Sequence, residues 1–163
     1  MSAPFRIDAM REGDVPAVAA IDGPTRMDEP QLRDELARPW ARLWVVREEP
    51  EAVSAFLVSW HVADELHVLN VATRGDRRRR GMARALMNEV VAYARGKSVR
   101  HVLLEVRRSN RAAIALYRAV GFFAMGVRTR YYPDDEDAVE MVLLLDPATG
   151  AVVAHEDEVR LEA

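Results

Sequence analysis

The residues whose types and spacing could do chemistry fall in one stretch of this chain, Leu66 to Phe122. The first group is a basic, glycine-bearing turn, Arg78-x-x-Gly81-x-Ala83, inside the block Arg77-Arg78-Arg79-Arg80. Glycine at 81 lets backbone come close to a ligand and adopt φ values that other residues avoid. If a helix begins here, the N–H groups of residues 79 to 84 point one way with partial positive charge, and a diphosphate fits them. No Gly-Lys-Ser/Thr follows, so this is not a Walker loop. Gly-x-Gly-x-x-Gly is missing, so it is not a dinucleotide fingerprint. Spacing alone leaves open a phosphate nest or a solvated arginine run before an ordinary helix. A nucleic-acid patch is disfavoured, because no aromatic platform is interleaved with the arginines. The second group is Glu105 and Tyr117. A positioned carboxylate and a phenol can take and give protons. As structural residues they would be an ion-pair partner for an arginine and a core aromatic on a helix face.

These residues need elements to position them. Glu65–Thr73 reads as a strand, with Leu66, Val68 and Asn70 on one face and His67, Leu69 and Val71 on the other; its near-continuous apolar character suggests burial on both sides. Met82, Ala85, Leu86, Glu89, Val90 and Tyr93 keep helical spacing, so a helix runs from about Gly81 to Arg95, with Gly96 as its cap. His101–Arg107 is a strand with Val102, Leu104 and Val106 on one face and Leu103 and Glu105 on the other. Asn110 caps a helix that Gly121 ends.

Upstream, Phe5–Met10 reads as a strand. Asp14 caps a first helix, which Gly23-Pro24 stops, and Asp28 caps a second, with Pro30 in its first turn. Leu43–Arg47 and Ala52–Val62 read as a hairpin. Phe122–Arg130 and Ala138–Leu145 are the last strands, separated by Tyr131-Tyr132-Pro133 and the acidic run Asp134–Asp137. That run could attract a cationic peptide N-terminus, or be a solvated loop. Strands and helices alternate through the middle after a hairpin, which gives a mixed α/β layer with a partly antiparallel sheet.

Bulk properties narrow the classes. The chain has 163 residues, half of them apolar, a formal charge of −3 and no cysteine. One domain over residues 1–145 is expected, with an acidic tail at 146–163 that is loosely held. Disulfide and thiolate chemistry are excluded. His61, His67, His101 and His155 have no metal-ligand spacing, so no metal site is expected. Neither a signal peptide at Met1–Asp8 nor an apolar run of membrane-spanning length is present, and a cytoplasmic protein with no membrane partner is expected.

Several motifs together carry a resemblance: Asn70-Val71-Ala72, the Arg78–Leu86 turn, Leu104-Glu105-Val106-Arg107-x-Ser109-Asn110, Ala112–Tyr117, Gly121-Phe122, Tyr131-Tyr132-Pro133 and Glu136-Asp137-Ala138. The chain resembles the GNAT N-acetyltransferase superfamily. Within it, the likeness is to the RimI-type branch, whose members acetylate the N-terminal alanine of ribosomal protein S18. The likeness spans about residues 5–145 and is dense from 65 to 141.

The resemblance implies a mixed, mostly antiparallel central sheet, flanked by helices, whose two parallel strands splay to admit acetyl-CoA. It places the pantetheine arm along Val71, Ala72 and Thr73, with the Val71 N–H polarising the thioester carbonyl. The diphosphate goes to Arg78, Arg79, Arg80, Gly81, Met82, Ala83 and Arg84, and Asn110 touches the CoA arm. Glu105 becomes the general base, and Tyr117 the acid that protonates the CoA sulfur. Tyr131 and Tyr132, with Glu105, meet the substrate. The substrate is a peptide or protein N-terminus, whose ammonium, with a pKa of about 7.7–8.0, must first lose a proton. One segment departs from the pattern. Where RimI-type enzymes carry Phe-Pro-Trp-Ser, this chain reads Thr25-Arg26-Met27-Asp28, losing an aromatic wall and gaining charge.

Overall fold

Period-two runs of apolar residues become strands where a buried face rewards them. The structure is a computed structural model that describes residues 5–21 and 26–161. Gly23-Pro24 and Thr25, the expected helix stop and the start of the altered substrate segment, lie outside the described residues. The chain groups into two compact units, Met1–Val62 with Val68–Val90, and Ala63–His67 with Val91–Ala163. The class is the expected one, a mixed, mostly antiparallel open sheet with helices beside it.

The first unit holds β1 (Phe5–Ala9), a 3-10 turn at Glu12–Asp14, α1 (Val15–Ala19), α2 (Glu29–Ala37), β2 (Ala41–Glu48), β3 (Ala52–Val62) and most of β4 (Glu65–Thr73). Strand order is β1-β2-β3-β4, with β1/β2 and β2/β3 antiparallel. Val15 and Val18 of α1 and Leu32 of α2 pack with Val45, Phe56, Val58 and Ala72 in one apolar cluster. Helix α2 starts as its sequence dictates: Asp28 accepts from the Gln31 N–H, and the Gln31 side chain accepts from the Asp28 N–H, both at 2.8 Å.

Asp14 stands at the N-cap of α1, as expected, but its side chain makes no cap hydrogen bond. Its carboxylate accepts from the Arg11 N–H at 2.8 Å and from both terminal nitrogens of Arg47 at 2.7 Å. Asp8 takes the Arg47 Nε at 2.7 Å. Arg47 is only 2% exposed, and a charge that deep requires partners. This long-range demand overrides the local capping preference.

Strand β4 is buried on one face only. Leu66, Val68, Asn70 and Ala72 are buried, whereas His67, Val71 and Thr73 are half-buried and Leu69 is 37% exposed. The expected two-sided burial is therefore corrected: apolar composition on this strand does not mean that both faces are covered.

The second unit holds β5 (His101–Arg107), α4 (Arg111–Val120), β6 (Phe123–Arg128), β7 (Ala138–Leu145) and β8 (Val152–Val153). Strand β7 lies between β5 and β6, antiparallel to both, and β8 pairs with β7. Helix α3 (Met82–Gly96) links the units' sequences and runs through Gly96 without a left-handed residue there. The reversal falls on Ser98, at φ +58°, after the Lys97 N–H closes on the Ala94 carbonyl. Asn110 caps α4 by accepting from the Ala113 N–H at 3.1 Å.

The tail is not loose. The Gly150 N–H closes a turn on the Asp146 carbonyl, Arg95 Nε donates to the Gly150 carbonyl at 2.8 Å, and His155 stacks on Phe123 at 4.2 Å. Asp157 accepts from the Ala124 N–H at 2.9 Å and pairs with Arg118. Charge and Pro-Thr-Gly composition suggest a loose tail, but these contacts hold it at Asp146, Gly150, His155 and Asp157. Gly121 ends α4 at φ +125°, and a Cβ there would lie 2.9 Å from Val152 Cγ1 of β8. Gly121→Ala is expected to cost about 2 kcal/mol through strained backbone and a displaced tail, read as a lower urea midpoint. Among the described residues, no helix is long and apolar enough to cross a membrane.

Candidate active site

The basic turn follows β4 in the first unit. Gly81 sits at φ +81° with open space where a Cβ would stand, and Arg79 is at φ +65°. The first internal bond of α3 runs from the Ala85 N–H to the Gly81 carbonyl at 2.9 Å. Among the described residues, no backbone N–H from Arg79 to Arg84 has a partner. Met82 is buried, so only its backbone is available to a ligand.

The structure divides the arginine block. Arg77 Nε lies 2.8 Å from Glu48, and Arg80 reaches the same carboxylate at 3.9 Å. Glu48 also accepts from the Ser54 hydroxyl at 2.5 Å, and this bond, with the arginines, holds its carboxyl below the usual range. The Ser54 carbonyl takes the Arg74 N–H at 2.8 Å, so β2 and β3 fix the turn from two sides. Arg78, Arg79 and Arg84 are exposed and have no ion pair among the described residues. Arg80, expected to bind cofactor with them, is partly committed to Glu48.

The titratable residues gather in the second unit. Glu105 points to the half-exposed face of β5 and is 16% exposed. It pairs not with an arginine but with His67 of β4, Nε2 to Oε2 at 2.6 Å. That hydrogen bond outweighs burial and holds the Glu105 carboxyl below its ordinary value, with a smaller contribution from Arg128. Glu140 of β7 lies opposite Glu105 in register, and Arg128 of β6 pairs with it at 3.2 Å. A bulge at Ala124/Gly126 places Gly126 beside Glu140, where a Cβ would come to 3.5 Å of its carboxylate.

Tyr117 is buried on α4, its ring tilted against Phe122 at 5.9 Å. Burial, with a smaller contribution from Tyr132, pushes its hydroxyl up to about 12. That hydroxyl has no hydrogen-bond partner among the described residues. Tyr131 and Tyr132 meet edge to face at 5.0 Å, with Arg128 over the first ring at 5.6 Å and Arg107 over the second at 4.2 Å.

Asp134, Glu136 and Asp137 of the acidic run are already engaged by arginines, so neither of the two readings left open, a magnet for cations or a merely solvated loop, describes them. Arg107 pairs with Asp134 at 2.9 Å and Glu136 at 3.0 Å, and Arg108 with Asp137 at 3.2 Å. Glu136 also accepts from the Ser109 N–H at 2.8 Å. These bonds fix the tyrosine loop to the end of β5. A recess of about 820 Å³ runs along α4, lined by Arg108, Ser109, Arg111, Ile114, Arg118 and Leu161 among others. It includes neither Glu105 nor Tyr117.

Within the second unit, Glu105, Tyr117, Tyr131 and Tyr132 come together: Tyr132 feels the charge of Glu105, and Tyr117 feels Tyr132. Asn110 caps α4. Val71, Ala72 and Thr73 lie with the turn in the first unit, Ala72 with its side chain buried. The residue missed from sequence is His67. Its alternation with Leu69 and Val71 put it on the face opposite Leu66 and Val68, but that face was expected to be buried and nothing local identified a partner 38 positions away. An anionic carboxylate on an imidazole, near a phenol that stays protonated, can remove a proton from a nucleophile and supply one to a leaving group.

Comparison with known proteins gives a consistent picture. The Acetyltransferase (GNAT) family matches residues 7–122. Ribosomal protein bS18-alanine N-acetyltransferase of Escherichia coli strain K12 is 39% identical over 94 residues, 56% of this chain and 64% of that protein. The N-alpha-acetyltransferase RimI of Mycobacterium tuberculosis is 47% identical over 70 residues, 42% of this chain and 40% of that protein. The crystal structure of the Escherichia coli ribosomal-protein-S18-alanine N-acetyltransferase superposes with a TM-score of 0.78 at 27% identity, covering 94% of this chain and 97% of that one.

Proposed function

From the premise that this chain belongs to the GNAT acetyltransferase family, we propose that it is an acetyl-CoA-dependent N-acetyltransferase acting on the N-terminal α-amine of a protein in the cytoplasm. The observation that carries this reading is the pairing of roles in the second unit. Glu105 is held anionic by its bond to His67, while the buried Tyr117 hydroxyl keeps its proton and has no partner.

The residues fit the acyl donor. The unpartnered amides of Arg79–Arg84, the open positive-φ Gly81 and the free cations Arg78, Arg79 and Arg84 suit a diphosphate. The Val71 N–H is the proposed donor to the thioester carbonyl, and Val71–Thr73 lie along the pantetheine arm. Asn110 spends its carbonyl oxygen on the helix cap, which leaves its side-chain NH₂ for that arm. Acetyl-CoA supplies an activated acyl group. Without cysteine in the chain, direct attack by the amine is the assigned route. Glu105 serves the basic side, Tyr117 protects the departing sulfur from carrying full charge, and Tyr131 and Tyr132 line the acceptor side.

Since the Escherichia coli relative is a ribosomal protein bS18-alanine N-acetyltransferase, an alanine N-terminus is the first acceptor to try. The purified protein is incubated with acetyl-CoA and a panel of N-terminal peptides beginning with Ala-Arg, and products are read by mass spectrometry. Acetylation of the free α-amine, and none of an α-blocked lysine peptide, is expected. Product only with small amines overturns the protein-N-terminus assignment, and no product with any amine overturns the transferase. The double variant Arg79→Gln, Arg84→Gln is expected to raise the acetyl-CoA KM roughly tenfold, from loss of about 1 kcal/mol or less per charge-assisted phosphate contact, with kcat little changed.

A further inference from the structure

Two arginines sit over the tyrosine pair, and their surroundings differ. Arg107, over Tyr132, is 28% exposed and already faces two carboxylates, Asp134 and Glu136. Arg128, over Tyr131, is 52% exposed and pairs with one, its Nε 3.2 Å from Oε1 of Glu140. The two terminal nitrogens of Arg128 have no hydrogen bond or ion pair among the described residues. Resting on the transferase reading above, we infer that Arg128, anchored by Glu140, binds a carboxylate side chain on the second residue of the acceptor. N-termini of the Ala-Asp and Ala-Glu kind are then the preferred substrates.

Three strands build this arrangement. Glu140 of β7 lies opposite Glu105 of β5, and Gly126 of β6 lies opposite Glu140. Side chains of cross-strand partners share a face. A side chain at 126 would crowd the anchoring carboxylate, since a Cβ there comes within 3.5 Å of Glu140 Oε1. Glu140 is 26% exposed, so it lies deeper than the arginine it holds, while Tyr131 is exposed and gives the guanidinium a flat support. A guanidinium held through Nε and stacked on a ring loses little freedom on binding. Its terminal edge is left to grip a carboxylate with two parallel hydrogen bonds.

The spacing and the charges fit one class of acceptor. Strands β5 and β6 flank β7, so their backbones lie about 10 Å apart at the usual strand spacing, and Arg128 reaches back over β7 to Glu140. Arg128 is also near enough for its charge to act on Glu105. Consecutive Cα atoms of a peptide are about 3.8 Å apart. With the α-amine at Glu105, a side chain on the next residue therefore comes over β7, where the free edge of Arg128 lies. An aspartate or glutamate there completes an alternation of charge: carboxylate against ammonium, guanidinium against carboxylate. An arginine at the same place meets like charge.

The test is a second-residue series on the full-length protein. With acetyl-CoA and peptides that differ only in their second residue, Ala-Asp is expected to exceed its neutral isostere Ala-Asn in kcat/KM by about five- to tenfold at low salt. The advantage should shrink at about 0.5 M salt, where exposed charges are screened. Arg128→Gln should bring the ratio close to unity, and Arg128→Glu should invert the preference toward Ala-Arg. In NMR titrations of the wild type without acyl donor, Ala-Asp should shift the Arg128 Nε–H resonance more than Ala-Asn does. Equal use of Ala-Asp and Ala-Asn, a preference for Ala-Arg, or an Ala-Asp advantage that survives Arg128→Gln overturns the inference and leaves the transferase standing. If neither variant folds, the wild-type ratio and the titration decide. If no peptide is acetylated, the proposed function fails, and the titration alone decides the subsite.

Discussion

Tyr117→Phe is expected to lower kcat by about a hundred- to ten-thousandfold while leaving the fold's stability unchanged. The substitution keeps the ring that packs on Phe122 and deletes a hydroxyl that bonds to nothing among the described residues. A structural tyrosine would show the reverse, a loss of stability with little change in rate. The sign of its pH dependence follows from burial. With its hydroxyl pushed up to about 12, Tyr117 keeps its proton throughout the neutral range, so it causes no alkaline loss of rate between pH 7 and 9. A steady-state pH profile of wild type and variant, with unfolding curves for both, measures all of this. Equal kcat would remove Tyr117 from the chemistry.

Arg47→Met should be the most damaging single change to stability, at about 3–5 kcal/mol. It leaves the Asp14 carboxylate buried with only the Arg11 N–H as partner. Adding Asp14→Leu should recover most of the loss, since an apolar pair of similar volume does not strand a charge. The two proteins should also respond to acid in opposite directions. In the wild type, burial alone would raise the Asp14 carboxyl, but the Arg47 and Arg11 hydrogen bonds outweigh it and hold it below 3.8. Its contribution is therefore complete above that value and is lost as pH falls through the lowered one. In Arg47→Met, burial acts unopposed, the carboxyl rises above its unfolded value, and stability should recover as pH falls through it. Urea midpoints between pH 3 and 8 check both slopes.

Local chemistry made much of this molecule legible in advance. Strand β5 alternates Val102, Leu104 and Val106 with Leu103, Glu105 and Arg107, and period two alone orients Glu105 correctly. Asn110 and Gly121 bound α4 because a side-chain acceptor and a positive φ are needed within a few residues of its ends. Long-range relations were not legible. Nothing near Glu105 announces His67, and nothing near Arg77 announces Glu48 and Ser54, which withdraw it from the arginine block. The acidic run looked free because Arg107 and Arg108 lie about 29 positions away. The tail looked idle because a two-residue strand and one aspartate leave almost no periodic signal. In each case the sequence shows a charge, and only the fold shows what neutralises it.

The placement of β7 between β5 and β6 has a consequence for the growing polypeptide. Strands β5 and β6 emerge from the ribosome first, yet neither pairs with the other. Each waits with an open hydrogen-bonding edge until residues 138–145 arrive. The sheet that carries Glu105 therefore waits for β7, and the β5–β7 contacts are distant in sequence and slow to form. Nascent chains stalled before Ala138 would expose two unsatisfied strand edges, the form most prone to sticking and to capture by chaperones.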